Sequence, residues 1–308
     1  MKTLGFKLIK FERYFLALGL TLIMFIMAEV SGYSEIIFPE MLAILTGAWI
    51  AKKQPWSVNK RRIFILTCLA SLFGVAIVKY VHIALFFQLM LCFMFAGLTL
   101  WVARTNFVPI IAACIFPVYM GVNTWIYSIA VCIMTSLIIL GQWLMEKFHI
   151  RSVNTYCADD FDLKKQFNHW LKLFLIFGII SFIPFSSRNI FFLAPPMIVA
   201  FVEFSNPQSK ARKMPLKIFL LMLLAVLAGT ILRLVLNLYL DFPIILCALV
   251  ACILLFIAFD YTRAIFPPAG GMLLVPMILN AQDLKWFPIE AVIGMMIIIP
   301  LAIYLNKK

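Results

Sequence analysis

Charge is scarce in this chain. Asp, Glu, Lys and Arg make up 13% of its 308 residues, where a soluble domain carries about 25%. Only 13 residues are acidic and 3 are histidine. His82, His149 and His169 are scattered over opposite sides of the predicted membrane segments, so they build no metal site. The 7 cysteines contain no Cys-x-x-Cys pair. Cys68, Cys92, Cys114, Cys132, Cys247 and Cys252 fall in apolar runs, where a thiol behaves as a small apolar group, and Cys157 stands alone in a polar stretch. Neither a disulfide framework nor a zinc site follows, and no cofactor is expected. A glycine-rich phosphate loop ending in Gly-Lys-Ser/Thr is also absent, so ATP-driven transport would need a separate subunit. The longest polar stretch, residues 146–169, leaves no room for a soluble catalytic domain.

Apolar residues fill the space. They make up 65% of the chain, and the mean hydropathy is +1.05. Several runs approach the roughly 20 residues that cross a bilayer. Hydropathy places six segments before the polar stretch: Tyr14–Val30, Ile36–Ala51, Ile63–Tyr80, Ile83–Val102, Phe107–Val122 and Trp125–Met145. Six more follow: Trp170–Phe185, Ile190–Phe204, Leu216–Leu238, Phe242–Phe259, Phe266–Leu279 and Ile289–Leu305. The first run resembles a signal peptide in its basic flank. It is long, however, and Ala28-Glu29-Val30 is a poor cleavage site, so it reads as a retained span.

The two sets share a pattern. Arg104, Phe107, Pro109 and Pro117 fall on Arg263, Phe266, Pro268 and Pro276 at one constant offset. Upstream, Ala48 to Pro55 resembles Ala200 to Pro207. Each stretch precedes a basic cluster, Lys60-Arg61-Arg62 or Lys210, Arg212 and Lys213, and then an apolar segment with a central glycine, Gly74 or Gly229. The expected fold is therefore an all-α polytopic membrane protein. It has about 12 segments in two parallel six-segment repeats, 1–145 and 170–308, joined by a linker over 146–169. An even number per repeat keeps both halves in one orientation, with the pseudo-two-fold axis along the membrane normal.

Charge gives the topology. With a cytoplasmic N-terminus, all 26 Lys and Arg except Lys79, Arg188, Arg233 and Lys285 fall at or near cytoplasmic ends. Short basic loops resist translocation, so the linker and both termini are expected in the cytoplasm of a cell bounded by this inner membrane. The same distribution accounts for the net charge of +13 without nucleic acid as a partner, since basic loops face anionic head groups.

Two spans per set are short. The second and fifth would cover only about 21–24 Å as helices, against a hydrocarbon core roughly 30 Å thick. Each carries proline: Pro39; Pro195 and Pro196; Pro109 and Pro117; Pro267, Pro268 and Pro276. Proline frees a backbone carbonyl that needs a protein or water partner in lipid. Broken segments at matching places in two repeats point to a substrate site, although short buried helices would read the same way. In Phe266-Pro267-Pro268-Ala269-Gly270-Gly271, proline opens a helix and small residues admit a close neighbour or a ligand. A helix N-terminus there suits an anion; close helix packing is the plainer reading.

The run from Asn206-Pro207-Gln208-Ser209-Lys210-Ala211-Arg212-Lys213 to Phe266-Pro267-Pro268-Ala269-Gly270-Gly271 resembles the HPP family of integral membrane proteins. Those proteins carry a polar Pro-containing loop after a short span and a His-Pro-Pro motif before Ala/Gly-rich residues. The likeness covers Ile190 to Leu279, with a faded copy over Ile36 to Met120, where Phe107-Val108-Pro109 remains. Here Phe266 stands in place of the histidine. The family is usually a single four-span unit, so this chain reads as a tandem form. Some plastid and cyanobacterial members are associated with nitrite transport, and the resemblance implies a nitrite-like anion. A more distant similarity links the chain to fusaric-acid-resistance exporters.

Ionisable groups in apolar segments are the remaining candidates, because lipid makes them costly. Glu40 follows Pro39 in a short span and is a candidate proton carrier. Arg233 lies in the outer third of its span. Lys79 reads as snorkelling to the interface, and Arg104 and Arg263 as topology anchors. Asp260 is spaced to pair with Arg263. The expected function is a secondary transporter or channel-like permease for a small solute, more anionic than not. The candidate substrate-binding residues are Glu40, Phe107, Pro109, Arg233, Phe266, Pro267, Pro268, Gly270 and Gly271. Its partners are the bilayer and a small molecule or ion, with self-association open. A membrane enzyme acting on a lipid or isoprenoid would need paired carboxylates, a nucleophile or a metal set. A non-transporting scaffold or sensor would use the linker run Asp159-Asp160-Phe161-Asp162.

Overall fold

The computed structural model describes residues 2–153, 162–187 and 189–304, with side chains for all of these except 2–10 and 163. Cys157, Asp159, Asp160, Phe161 and Arg188 lie outside the described residues, as does the C-terminal end from Leu305. Within them the chain is helical and has no strand. The helices are α1 (Lys2–Ser31), α2 (Glu40–Leu45), α3 (Lys60–Tyr80), α4 (Leu85–Val102), α5 (Pro109–Met120), α6 (Ile126–Lys147), α7 (Leu163–Ser186), α8 (Pro195–Ser205), α9 (Pro215–Leu232), α10 (Ile244–Thr262), α11 (Pro267–Leu274) and α12 (Ala281–Tyr304). π-type turns extend α2 over Thr46–Ile50 and α9 over Arg233–Tyr239.

Eight of these helices are long and apolar enough to cross a membrane: α1, α3, α4, α6, α7, α9, α10 and α12. Of the about 12 segments expected, eight are such helices. The segments predicted at Ile36–Ala51, Phe107–Val122, Ile190–Phe204 and Phe266–Leu279 contain only the short helices α2, α5, α8 and α11. Proline is the physical reason. It sits at the first turn of α5, α8 and α11 and caps α2 at Pro39. The residue before a proline is pushed out of the helical region. Ala194 and Phe266 are extended accordingly, at ψ 145° and 106°. Pro276 then falls in a 3-10 turn, Val275–Met277, that ends α11. The order of helices is long, short, long, long, short, long before the linker, and the same again after it.

Burial divides the two kinds of helix. Every residue of 36–51 and 107–119 is buried, as is every residue of 266–277. A helix enclosed on all sides is apolar all round. Extended backbone at membrane depth is tolerated only when protein surrounds it in this way. The long helices instead turn large apolar side chains outward: Phe15 is 64% exposed, Ile179 76% and Ile183 73%. Patches of that kind need lipid, or another apolar partner, around them.

Glycine sets the approach of long to short helices. A Cβ on Gly74 of α3 would collide with the Cys114 carbonyl oxygen of α5 and sit 3.1 Å from the Pro117 ring. A Cβ on Gly229 of α9 would collide with the Leu273 carbonyl oxygen of α11 and sit 3.0 Å from the Pro276 ring. After α4 and α10, Arg104 and Arg263 both take left-handed backbone, at φ 48° and 53°. The halves interlock across the middle. α2 packs on α11 and α5 on α8, while α4 packs on α7 and α1 on α10.

Polar contacts sort the loops into two ends. At one end, Arg13 donates to the carbonyls of Trp49, Ile50 and Ala51. Lys60 pairs with Glu146, and Arg62 reaches the Ala103 carbonyl. Arg212 reaches the Ile303 carbonyl, and Tyr14 donates to Asp260. This is the basic end. At the other, Thr124 donates to Glu35, and Lys79 lies over the rings of Tyr80 and Trp125.

Candidate functional site

The four short helices meet around a cavity at the centre of the bundle. Glu40 and Ala43 come from α2, and Pro109 and Ala112 from α5 with Val108 just before it. Pro196, Val199 and Glu203 come from α8, and Pro267, Pro268 and Gly271 from α11. Pro55 and Trp56, in the loop after α2, complete the wall on the side of the basic end. The space is about 20 Å³, room for about one water molecule.

Two carboxylates are the ionisable groups of this lining. Glu40 opens α2, is 1% exposed, and neither of its oxygens has a hydrogen-bond partner on another residue. Glu203 lies near the end of α8, where its Oε1 accepts a hydrogen bond from the Ser209 hydroxyl at 3.1 Å. None of the lining residues is Lys, Arg or His. The distance between the two carboxylates along the bundle follows from the helices. α2 and its π turn run from Glu40 to the basic end, about 16 Å at 1.5 Å per residue, whereas Glu203 is in the last turn of α8. Glu203 thus lies nearer the basic end and Glu40 deeper in the bundle.

The helix N-termini offer less than the sequence promises. Pro109, Pro195, Pro196, Pro267 and Pro268 have no backbone N–H to give. The next donors are already used: Ile110 N–H to Phe107, Ile111 N–H to Val108, Met197 N–H to Ala194 and Ala269 N–H to Phe266. What these termini supply is shape rather than anion-binding amides.

The structure brings together Glu40, Pro109, Pro267, Pro268 and Gly271 from the candidates named above. The others stand outside the cavity. Phe107 lies behind it, edge-on to Trp56 at 5.1 Å, and Phe266 lies against Phe204 at 5.9 Å. Gly270 is a packing residue, because a Cβ there would meet the Leu42 backbone at 3.0 Å. Gly271 both packs and lines, with a Cβ placed 2.8 Å from the Pro196 ring. Arg233 is not at the cavity. It starts the π turn that ends α9, half-buried next to Cys247 of α10, so the expected central cation is absent.

Of the cavity residues not among those candidates, Glu203 and Trp56 matter most. Glu203 carries the same signal as Glu40, a carboxylate inside a short apolar span, and was visible in the run from Ala200 to Pro207. Trp56 had no such signal. It is 4% exposed and fills the space over Gly47. A third surprise is the clamp on the end of α2. Arg151 donates to the Trp49 and Ala51 carbonyls at 2.9 and 3.0 Å, beside Arg13 on the same carbonyls. Cations at a helix C-terminus satisfy its free carbonyls and its partial negative charge. Burial, and then the charge of Arg13, push the Arg151 guanidinium down to about 10.

Comparison with known proteins gives one match. Residues 159–308 fit the family model described as HPP, transmembrane region. No curated protein and no solved structure matches the chain.

Proposed function

We propose, from the premise that residues 159–308 are an HPP transmembrane region in a multi-pass membrane protein, that this chain is a secondary transporter or channel-like permease for a small solute. One observation carries the reading. A buried carboxylate without a partner, Glu40, faces a cavity enclosed by four proline-bearing short helices. An ionisable group is costly in such a place and is retained where a substrate or ion passes. Short, interrupted helices at the midplane are the usual walls of such a path.

The two halves act in this reading as parallel repeats, 1–145 and 170–308. The matching glycine contacts of Gly74 and Gly229, the left-handed Arg104 and Arg263, and the exchanged packing of α2 on α11 and α5 on α8 support it. Rocking of the halves about the cavity would expose it to one side at a time. The basic end, with Arg13, Lys60, Arg62, Arg151 and Arg212, is the cytoplasmic one by charge, in the inner membrane of the cell. The anion inferred from sequence and family resemblance finds no cation and few free amides in the lining. An enzyme reading has only the two carboxylates, and they sit in the bundle centre rather than at a lipid-facing groove.

Solute flux into proteoliposomes tests the proposal with a panel of small ions and neutral solutes. Wild-type protein should carry at least one solute above the leak of empty vesicles. Gly271→Leu, which fills the cavity against the Pro196 ring, should abolish that flux. Vesicles with protein no leakier than empty ones across the panel would sink the transport reading.

A further inference from the structure

We infer that the solute of the central path is a small monovalent cation, with Glu203 as its ligand nearer the basic end and Glu40 as its deeper ligand. The inference rests on the permease reading and names its substrate class. Four observations converge on it. The lining's ionisable groups are Glu40 and Glu203, with no Lys, Arg or His among the residues that form it. The Glu40 oxygens are acceptors without a partner on another residue, on a side chain 1% exposed. A buried carboxyl stays ionised only beside a donor or a positive charge, and in that form it is acceptor-only. The amides that would hold an anion are deleted by proline or spent on Phe266, Ala194 and Val108. The space, about 20 Å³, matches a single water-sized species, such as a dehydrated alkali ion or ammonium, and is tight for a three-atom oxyanion.

The chemistry is simple. A dehydrating cation loses water oxygens and needs anionic or carbonyl oxygens in return. Glu203, held by the Ser209 hydroxyl, offers the first of these near the basic end. Glu40 offers two oxygens that no other residue engages, deeper in at the start of α2. Ser209 leaves one Glu203 oxygen engaged and the other open, so Glu203 is a weaker ligand than Glu40. That gradient lets an ion enter, bind and leave. No bond is made or broken in this transfer.

The experiment is current recording from the reconstituted protein in planar bilayers under a potassium chloride gradient, with tracer flux of potassium, sodium, ammonium, chloride and nitrite in proteoliposomes. The reversal potential should shift toward the cation equilibrium. Glu40→Gln and Glu203→Gln should each lower cation flux by about tenfold or more, while Glu40→Asp, which keeps the charge, retains a measurable part of it. Thermal unfolding of each variant in detergent separates loss of flux from loss of fold. Chloride or nitrite flux with the reversal potential on the anion side, unchanged in both glutamine variants, would overturn the cation assignment and leave the permease standing. No flux of any ion or neutral solute would overturn the permease reading, and the cation assignment with it.

Discussion

Replacing Glu40 by methionine should make this protein more stable and inactive. The two side chains have similar length and volume, so the swap keeps the packing around α2. The carboxyl it removes is 1% exposed and unpartnered on any neighbouring residue. A buried polar group left unsatisfied costs roughly 1–3 kcal/mol, and an ionised one costs more. Glu40→Met therefore gains about 1–3 kcal/mol, while Glu40→Gln, which buries another unsatisfied polar group, stays close to wild type. The assay is thermal unfolding in detergent, read with a thiol-reactive dye, in a buffer whose cations are all bulky organic ones. Cys92, Cys114, Cys247 and Cys252 are buried and report the loss of packing. The buffer matters, because a small ion bound at Glu40 would stabilise the wild type by mass action and mask the gain. A methionine variant that melts below wild type in that buffer would refute the reasoning, since the carboxylate would then have a stabilising partner.

Other outcomes follow from the packing and the caps. Gly74→Ala and Gly229→Ala should each destabilise by about 1–3 kcal/mol through overpacking, because each Cβ meets a carbonyl of the short helix beneath it. Gly19→Ala, with nothing within 4 Å, should be neutral or slightly stabilising in the same melting assay. At the start of α7, Asp162 accepts the Lys165 and Lys164 amides, which holds its carboxyl below its ordinary 3.8. A depressed carboxylate contributes its cap fully above that ordinary value and loses it as pH falls through the lower folded one. Protection of the Lys164 and Lys165 amides, relative to their intrinsic exchange rates at each pH, should therefore fall in that acid window, and at neutral pH only in Asp162→Ala. For topology, a cysteine at Gln208 should react with an impermeant thiol reagent from the cytoplasmic side alone, and one at Gln282 from the outside alone. Reaction of the cysteine at Gln208 from the outside would break the parallel arrangement.

Much of the fold was legible in the residues because lipid imposes a blunt rule. Long apolar runs such as Lys60–Tyr80 and Ile244–Thr262 become crossing helices wherever they occur, since every backbone group must be satisfied within the segment. Proline marked the exceptions: Pro109, Pro195 and Pro267 each open a short helix, and before Pro195 and Pro267 the preceding residue is pushed out of the helical region. Glu40 and the Pro267-Pro268 run were identified as candidates for the same local reason: each is costly or distorting in place. Tertiary structure decided the rest. Arg233 and Glu203 are both ionisable groups inside apolar segments, and Phe107 stands two residues before a proline. Only the crossing of α2 with α11 and α5 with α8 puts Glu203 into the cavity, Phe107 behind it and Arg233 away from it. Sequence fixes what a segment can bury, through local terms of transfer and backbone satisfaction. Which side chains share a cavity depends on contacts between residues far apart in the chain, and the sign of the charge at its centre is set there.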